Sequence, residues 1–135
     1  MTDVDDLADR LALHELVARH GHLVDAGDLA ALDEVFLPDV VYDVTDLGGT
    51  AMAGLVEVEA AARRLGDGNP VGHHVTNVVV TSLNEDGARV LSKGLGVAGD
   101  GTVGSVDYND EAVRTAEGWR ISRRTVRARR SPLRP

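Results

Sequence analysis

The second half of the chain consists of four runs of strand-forming residues that short polar turns separate. The runs cover residues 73–82, 88–97, 103–115 and 119–126. The turns are Asn84-Glu85-Asp86-Gly87, Ala98-Gly99-Asp100-Gly101 and Glu117-Gly118. β-Branched residues favour strands, and polar turns that contain glycine favour hairpins between consecutive strands. The pattern therefore predicts an antiparallel meander of four long strands.

The first half of the chain shows helical periodicity instead. Spacings of three and four residues, typical of a helix, connect Leu7 with Leu11, and then Leu13, Leu16, Val17, His20 and Val24. They predict a first helix that ends at Ala26-Gly27, a second from Asp28 to Phe36 and a third from Gly54 to Leu65. A short strand, Val40–Val44, lies between the last two helices. Helices followed by strands indicate an α+β fold, and 135 residues suit one domain.

Composition and charge narrow the classes of function. The formal net charge is −8, which argues against nucleic acid as a partner because no broad cationic surface would meet the phosphates. The absence of cysteine excludes disulfides and thiolate nucleophiles. No stretch is long and apolar enough to span a bilayer, and the acidic N-terminus does not resemble a signal peptide. We therefore expect a cytoplasmic protein that does not bind membranes.

Several short stretches, taken in order, carry a resemblance to a known family. They are Leu16-Val17-Ala18-Arg19-His20, Asp25-Ala26-Gly27-Asp28, Phe36-Leu37-Pro38-Asp39-Val40, the helix from Gly54, His73-His74-Val75-Thr76-Asn77 and the segment Glu111–Arg123 around Gly118-Trp119-Arg120. In this order the chain resembles the SnoaL-like family of the nuclear transport factor two-like superfamily, which includes scytalone dehydratase-like and polyketide cyclase-like members.

The resemblance implies a cone-shaped, curved antiparallel sheet covered by three N-terminal helices, known as a cystatin-like roll. An apolar cavity would lie between the helices and the sheet, and the convex face of the sheet would form a homodimer or a trimer. We expect the SnoaL-like domain to cover residues 1–128. Residues 129–135 would be a basic, flexible tail, since six arginines lie between positions 123 and 135.

The candidate catalytic residues are Asp25, His74 and Tyr42. The resemblance places an aspartate, a strand histidine and a tyrosine of the dehydratase-like members at these positions. A carboxylate in an apolar cavity is suited to proton transfer, and histidine titrates near neutral pH. Because neighbouring strand residues point to opposite faces, only one of His73 and His74 can face the cavity, and the resemblance favours His74.

The candidate substrate-binding residues are His20, Thr76, Tyr108 and Trp119. His20 continues the apolar stripe of the first helix, although such a residue is more often a core histidine. Thr76 shares the face of His74 in the expected register. No histidine pattern with metal-ligand spacing stands out, so we expect neither a metal nor another cofactor.

Two functions of different classes follow from these residues. The first is a cofactor-free acid–base enzyme that cyclises, dehydrates or isomerises a small apolar or polyketide-type metabolite in an enclosed pocket. The second is a non-catalytic protein of the same fold that binds a small ligand or assembles with a partner. The segment from Val90 to Leu95 lacks the second strand histidine of the dehydratase-like members, which argues against their full mechanism.

Overall fold

A computed structural model describes residues 3–135 of the chain. Its main elements are the helices α1 (Asp3–Asp25) and α2 (Leu55–Leu65) and the strands β1 (Phe36–Asp43), β2 (Ala51–Ala53), β3 (Gly72–Leu83), β4 (Gly87–Val97), β5 (Val103–Thr115) and β6 (Gly118–Ala128). Short 3₁₀ helices occur at Leu29–Glu34, Thr45–Leu47 and Gly66–Gly68. The predicted α+β fold is confirmed, and the predicted second helix is the first of these 3₁₀ helices.

The six strands form one curved sheet in the order β2-β1-β6-β5-β4-β3. Strands β3 to β6 pair antiparallel as the predicted meander. Strand β1 joins the meander differently, because it lies parallel to β6 with Tyr42 opposite Arg124. The first strand of the chain is therefore hydrogen-bonded to the last one, which brings Tyr42 beside Arg124.

One face of the sheet carries the core, and we call it the inner face; the opposite face is the outer face. Helix α1 covers the inner face with Leu13, Leu16 and Val17, all of them buried. The buried residues of the sheet include Phe36, Val40, Val80, Val90, Ala112 and Ile121. Burial of these aliphatic groups is the main contribution to the stability of the fold.

Helix α1 touches β3 at a glycine. A Cβ atom on Gly21 would lie 2.1 Å from the carbonyl oxygen of His73, so no larger residue fits without moving the helix. Glycine therefore allows the two backbones to come into contact. Asp25 lies one helical turn beyond Gly21, so the same contact brings its carboxylate beside His73.

A bulge in β3 decides which histidine faces the core. Thr76 pairs with Lys93, but Val79 pairs with Leu91, so β3 contains one extra residue between these pairs. The extra residue is accommodated at Asn77, whose φ of 54° is the left-handed conformation that asparagine tolerates. A bulge reverses the alternation of the side chains along a strand. Strict alternation counted back from the buried Val80 would therefore assign the residues before the bulge to the wrong face of the sheet.

The consequence is a correction to the expected register. His73 pairs with Gly96 and lies on the inner face, whereas His74 pairs with Leu95 and lies exposed on the outer face. Thr76 is also exposed on the outer face. The prediction that His74 and Thr76 face the cavity is therefore wrong.

The C-terminal segment follows directly on β6. The backbone N–H of Arg129 donates to the carbonyl oxygen of Ser105 at 2.8 Å. Arg130 forms an ion pair with Asp46 at 3.0 Å. Mobility of residues 129–135 stays a prediction. Neither helix of the described part of the chain has the length and apolar character needed to cross a membrane.

Candidate active site

A histidine–aspartate pair lies where α1 ends against β3. His73 Nδ1 is 2.7 Å from Asp25 Oδ1, and the backbone N–H of His73 is 3.1 Å from both carboxylate oxygens. A carboxylate accepts hydrogen bonds, so in this contact the imidazole of His73 donates from Nδ1 to Asp25. The side chains of Asp25 and His73 are 29% and 17% exposed, so solvent reaches this pair.

The imidazole of His20 packs beside the pair, and three aromatic rings surround this imidazole. The His20 ring is 6.0 Å from the His73 ring, 5.7 Å from Phe36 and 6.3 Å from both Tyr42 and Tyr108, measured between centroids. His20 is buried, and its burial, with the nearby charge of Arg124 and of His73, holds its pKa well below the usual range. His20 is therefore neutral at pH 7.

A buried ion pair lies on the far side of these rings. Arg124 Nε donates to Asp110 Oδ1 at 2.7 Å, and Nη2 donates to Oδ2 at 2.9 Å. Both side chains are fully buried. Burial alone would lower the pKa of the guanidinium, but the charge and hydrogen bonds of Asp110 raise it above its usual value. The guanidinium carbon is 4.1 Å from the centroid of the Tyr108 ring, which extends the pair into the aromatic cluster.

Tyr108 occupies the space beside Gly94. A Cβ atom on Gly94 would lie 2.4 Å from a ring carbon of Tyr108, so glycine is required at this position. Burial raises the pKa of the Tyr108 hydroxyl above its usual value, so the phenol stays neutral.

Three buried polar atoms around this cluster have no hydrogen-bond partner among the described residues. They are His20 Nδ1, Ser92 Oγ and Arg124 Nη1. Ser92 is fully buried and lies directly opposite Tyr108 in the pairing of β4 with β5. Buried polar groups are almost always hydrogen-bonded, so three of them around one tyrosine require an explanation.

The structure brings together four of the candidate residues named above and separates three. Asp25, Tyr42, His20 and Tyr108 lie in one cluster on the inner face. His74 and Thr76 lie on the outer face, as described above. Asp110 and Arg124 were missed, because a register shift in β6 between Ile121 and Arg123 reverses the alternation of side chains and turns Arg124 inward opposite Asp110.

Trp119 lies at the other end of α1. Its Nε1 donates to Asp9 Oδ1 at 3.1 Å, and Arg114 stacks over the indole at 4.5 Å. Asp9 precedes Asp25 by roughly 24 Å along the helix, from the usual helical rise. The structure therefore places Trp119 away from the cluster, and its binding of substrate stays a prediction.

Within residues 3–135, no group of three or more His, Cys, Asp or Glu side chains is arranged to hold a metal ion.

Solved structures define the class of fold. An NTF2-like protein with a cystatin-like fold from Novosphingobium aromaticivorans is 28% identical and superimposes with a TM-score of 0.79, covering 96% of this chain and 88% of that chain. The hexachlorocyclohexane dehydrochlorinase LinA-type3 from Novosphingobium barchaimii is 21% identical with a TM-score of 0.78, covering 98% and 94%. These similarities establish a cystatin-like fold with a curved sheet.

Sequence comparison then gives the family. The uncharacterized protein Rv2910c of Mycobacterium tuberculosis is 30% identical over 132 residues, which cover 92% of this chain and 88% of that protein. The SnoaL-like domain family matches residues 5–125. The chain belongs to the SnoaL-like family, as its sequence motifs predicted.

Proposed function

We propose that this chain is a cofactor-free acid–base enzyme that moves a proton on a small molecule, with His73 as the general base. The observation that carries the proposal is the 2.7 Å contact between His73 Nδ1 and Asp25 Oδ1 on the inner face. Because Asp25 holds the Nδ1 proton, Nε2 is free to accept a proton from a substrate. The carboxylate would then stabilise the imidazolium that forms.

The surrounding side chains favour a substrate that is largely apolar. Phe36, Tyr42 and Tyr108 make the region around His20 aromatic, and the His20 ring in turn contacts His73. Tyr42 is half-buried, so its hydroxyl is our candidate for holding a water molecule or a substrate carbonyl. Cyclisation, dehydration and isomerisation of a polyketide-type metabolite need only such acid–base groups, which places the activity among lyases or isomerases.

The structural neighbours support this class of reaction without specifying it. The neighbour from Novosphingobium barchaimii is named a dehydrochlorinase, which indicates that an elimination is possible on this fold. At 21% identity the likeness concerns the fold, and one fold serves many reactions. The substrate must therefore be sought from the residues of this chain.

The second candidate function is ligand binding or assembly without catalysis. The observation that favours it is the pair of hydrogen bonds from the His73 backbone N–H to the Asp25 carboxylate. These bonds fasten α1 to β3 whether or not the imidazole moves a proton. In that case Asp25 would be a structural clamp.

A test of the two candidates uses nitrobenzisoxazole, whose ring opens when a base removes its carbon-bound proton. We expect the protein to open this probe faster than free imidazole at the same pH, because its base is oriented and partly desolvated. Asp25→Asn should lower kcat/KM by about 10²- to 10⁴-fold, since the amide no longer favours the reactive tautomer. The matched control is His74→Ala, which removes the neighbouring histidine from the outer face and should leave the rate unchanged.

The outcome decides between the candidates. If the native protein opens nitrobenzisoxazole no faster than imidazole does, or if Asp25→Asn opens it at the native rate, the proposed enzymatic function is contradicted. Unchanged folding of the variants, measured by circular dichroism, is needed for either conclusion.

A homodimer or trimer through the outer face stays a prediction, as does the cytoplasmic location. Val79, Leu91 and Leu95 support the first of these, because their apolar side chains are exposed on the outer face of adjacent strands.

A further inference from the structure

The outer face of the sheet has a cleft where the C-terminal segment meets β4 and β5. The cleft has a volume of about 400 Å³ and is open to solvent. Its walls consist of cationic and hydroxyl side chains and one proline, namely Lys93, Ser105, Arg129, Arg130, Ser131 and Pro132. The sheet separates this cleft from His73 and Asp25 on the inner face, so a ligand bound here would be distinct from the substrate of the candidate active site.

Hydrogen bonds to the rest of the fold hold the C-terminal wall of the cleft in place. The backbone N–H of Arg129 donates to the carbonyl oxygen of Ser105 at 2.8 Å, which continues the pairing of β6 with β5. The carboxylate of Asp46 accepts hydrogen bonds from the backbone N–H of Ala128 at 2.8 Å and from Arg130 Nη1 at 3.0 Å. These bonds hold the pKa of Asp46 below its usual value, so the carboxylate is ionised at neutral pH. The wall is therefore fastened to the sheet as far as Arg130.

The cleft contains more positive than negative charge, although the chain as a whole is acidic. Lys93 Nζ is 2.7 Å from Asp107 Oδ1, and Arg130 pairs with Asp46 as described above. These two carboxylates balance two of the three cations in the walls, which leaves the charge of Arg129 in excess. Arg129 Nη1 is 3.9 Å from Asp107 Oδ2, and this distance is too long for a hydrogen bond.

Arg129 also has donors to spare. A guanidinium presents five N–H donors in a planar fork, and the hydrogen bond from Arg129 Nη2 to the carbonyl oxygen of Ser131 is long, at 3.5 Å. The ammonium of Lys93 has two N–H bonds besides the one that points to Asp107. Arg127 is exposed on the same face, opposite Asp107 in the pairing of β5 with β6, and adds to the positive potential. The cleft therefore combines free donors with excess positive charge, as an anion-binding site requires.

We propose that this cleft binds a small phosphate monoester, with Arg129 and Lys93 as its main contacts. A planar guanidinium matches two oxygens of a phosphate group, and an ammonium can meet a third. The hydroxyls of Ser105 and Ser131 are further donors in the walls. A tetrahedral dianion uses donors from several directions and neutralises the excess charge better than a carboxylate, which carries one charge and is planar. Because the cleft is open to solvent, the remainder of the ester can extend outward.

A phosphate bound in this way connects two separate parts of the chain. Lys93 belongs to β4, whereas Arg129 lies in the segment that follows β6. A ligand that binds both stabilises the conformation in which the segment lies against the sheet. Phosphate should therefore slow trypsin, which cleaves after arginine, at Arg129 and Arg130.

The experiment follows Lys93, which is the only lysine of the chain, so protein labelled with carbon-13 lysine gives one Cε signal from the cleft. The probe is inorganic phosphate at pH 8, where it is mainly a dianion, at constant ionic strength. We expect the signal to shift with a Kd on the order of 1–10 mM, as suits a few solvent-exposed ionic hydrogen bonds. Phenyl phosphate, a monoester, should bind at least as tightly, and acetate should cause no shift. Tryptic cleavage after Arg129 and Arg130 should slow several-fold with phosphate, and a small peptide substrate controls for any effect on trypsin itself.

Two variants separate the cleft from the general charge of the outer face. Arg129→Gln should weaken phosphate binding by about 5- to 10-fold, the range expected for a hydrogen bond to a charged group. Arg89→Gln is the matched control, because it removes the same charge from the same face. Arg89 lies four residues from Lys93 along β4, roughly 13 Å away, and salt screens charges beyond about 10 Å at 0.1 M. This variant should therefore bind phosphate with nearly the native Kd.

Several results would overturn the proposal. They are the absence of a shift up to about 50 mM phosphate, an equal shift with acetate, equal weakening by Arg129→Gln and Arg89→Gln, and binding of inorganic phosphate but not of phenyl phosphate. Exclusion of phosphate by a second copy of the chain, detected as a shift that appears only on dilution to the monomer, would instead show that the cleft is an oligomer contact. No step involves His73, so each of these results leaves the function proposed above intact.

Discussion

Helix α1 carries an aspartate near each end, and the two make similar contacts with different partners. Asp9 accepts hydrogen bonds from Arg114 at 2.7 Å and from the Trp119 indole at 3.1 Å. Asp25 accepts its bonds from the backbone and imidazole of His73. Arginine and indole keep their protons at all ordinary pH values, whereas imidazole exchanges its proton near neutral pH. The carboxylate of Asp9 is therefore a structural anchor, whereas the carboxylate of Asp25 is a candidate part of a proton relay.

The comparison also concerns how each aspartate is positioned. Asp9 meets long side chains that can adjust, while Asp25 meets the backbone of β3, which cannot. Gly21 makes this backbone contact possible, since a Cβ would lie 2.1 Å from the His73 carbonyl oxygen. The C-terminal end of α1, where Asp25 contacts His73, should thus tolerate small displacements much less well than the N-terminal end.

The largest effect is expected from Gly21→Ala, which inserts a methyl group into the contact of α1 with β3. Overpacking of this kind costs about 1–3 kcal/mol of unfolding free energy, measured by urea denaturation. The helix must also move, so the rate with nitrobenzisoxazole should fall together with stability. Gly104→Ala is the control, because no described atom lies within 4 Å of its Cβ position. A stable Gly21→Ala variant with native rate would show that the two backbones are not held as close as described.

The next largest effect distinguishes the structural role of Asp9 from the proposed catalytic role of Asp25. The hydrogen bond from Arg114 holds the pKa of Asp9 below its usual value. Asp9→Asn should lower the unfolding free energy at pH 7 by about 1–2 kcal/mol and leave the rate with nitrobenzisoxazole unchanged, unlike Asp25→Asn. A carboxyl group with a lowered pKa in the folded state stabilises above its unfolded pKa of about 3.9 and loses this effect as the pH falls further. The gap between native and variant should therefore shrink below pH 4, and a constant gap would contradict the charge-based explanation.

The smallest effect is expected from the protonation of His20 between pH 7 and pH 5.5. Because the folded pKa of His20 is lowered, the unfolded chain binds more protons below its own histidine pKa of about 6.5. Acidification from pH 7 to pH 5.5 should cost about 1 kcal/mol of unfolding free energy through this residue. His20→Leu should remove that part of the pH dependence, with His14→Gln, exposed on the same helix, as the control. Equal slopes in the native and His20→Leu proteins would show that His20 is not held neutral.

Much of the fold could be predicted because its signals are local. Turns such as Asn84–Gly87 join consecutive strands, and the spacing of Leu13, Leu16 and Val17 marks the buried face of α1. Asp25 could be identified for the same reason, since the glycine at position 27 marks the end of the helix and the family motif begins there.

The site depended on pairings between distant segments. The bulge at Asn77 reversed the faces of the two histidines, and no property of residues 73–76 reveals it. Likewise, Asp110 and Arg124 could be recognised as inward-facing charges only with the register of β5 and β6. A polar residue on a strand has no fixed role until its neighbours across the sheet are known.

The sequence by itself determined the α+β class, the four-stranded meander, the family and the placement of a carboxylate at the end of α1, because periodicity, turns and motifs act within a few residues. The tertiary structure alone decided that His73 rather than His74 meets Asp25, that β1 lies parallel to β6, and that Ser92, Arg124 and His20 surround Tyr108. The physical reason is that a side chain's face is set by strand register, and register is set by contacts between residues far apart in the chain.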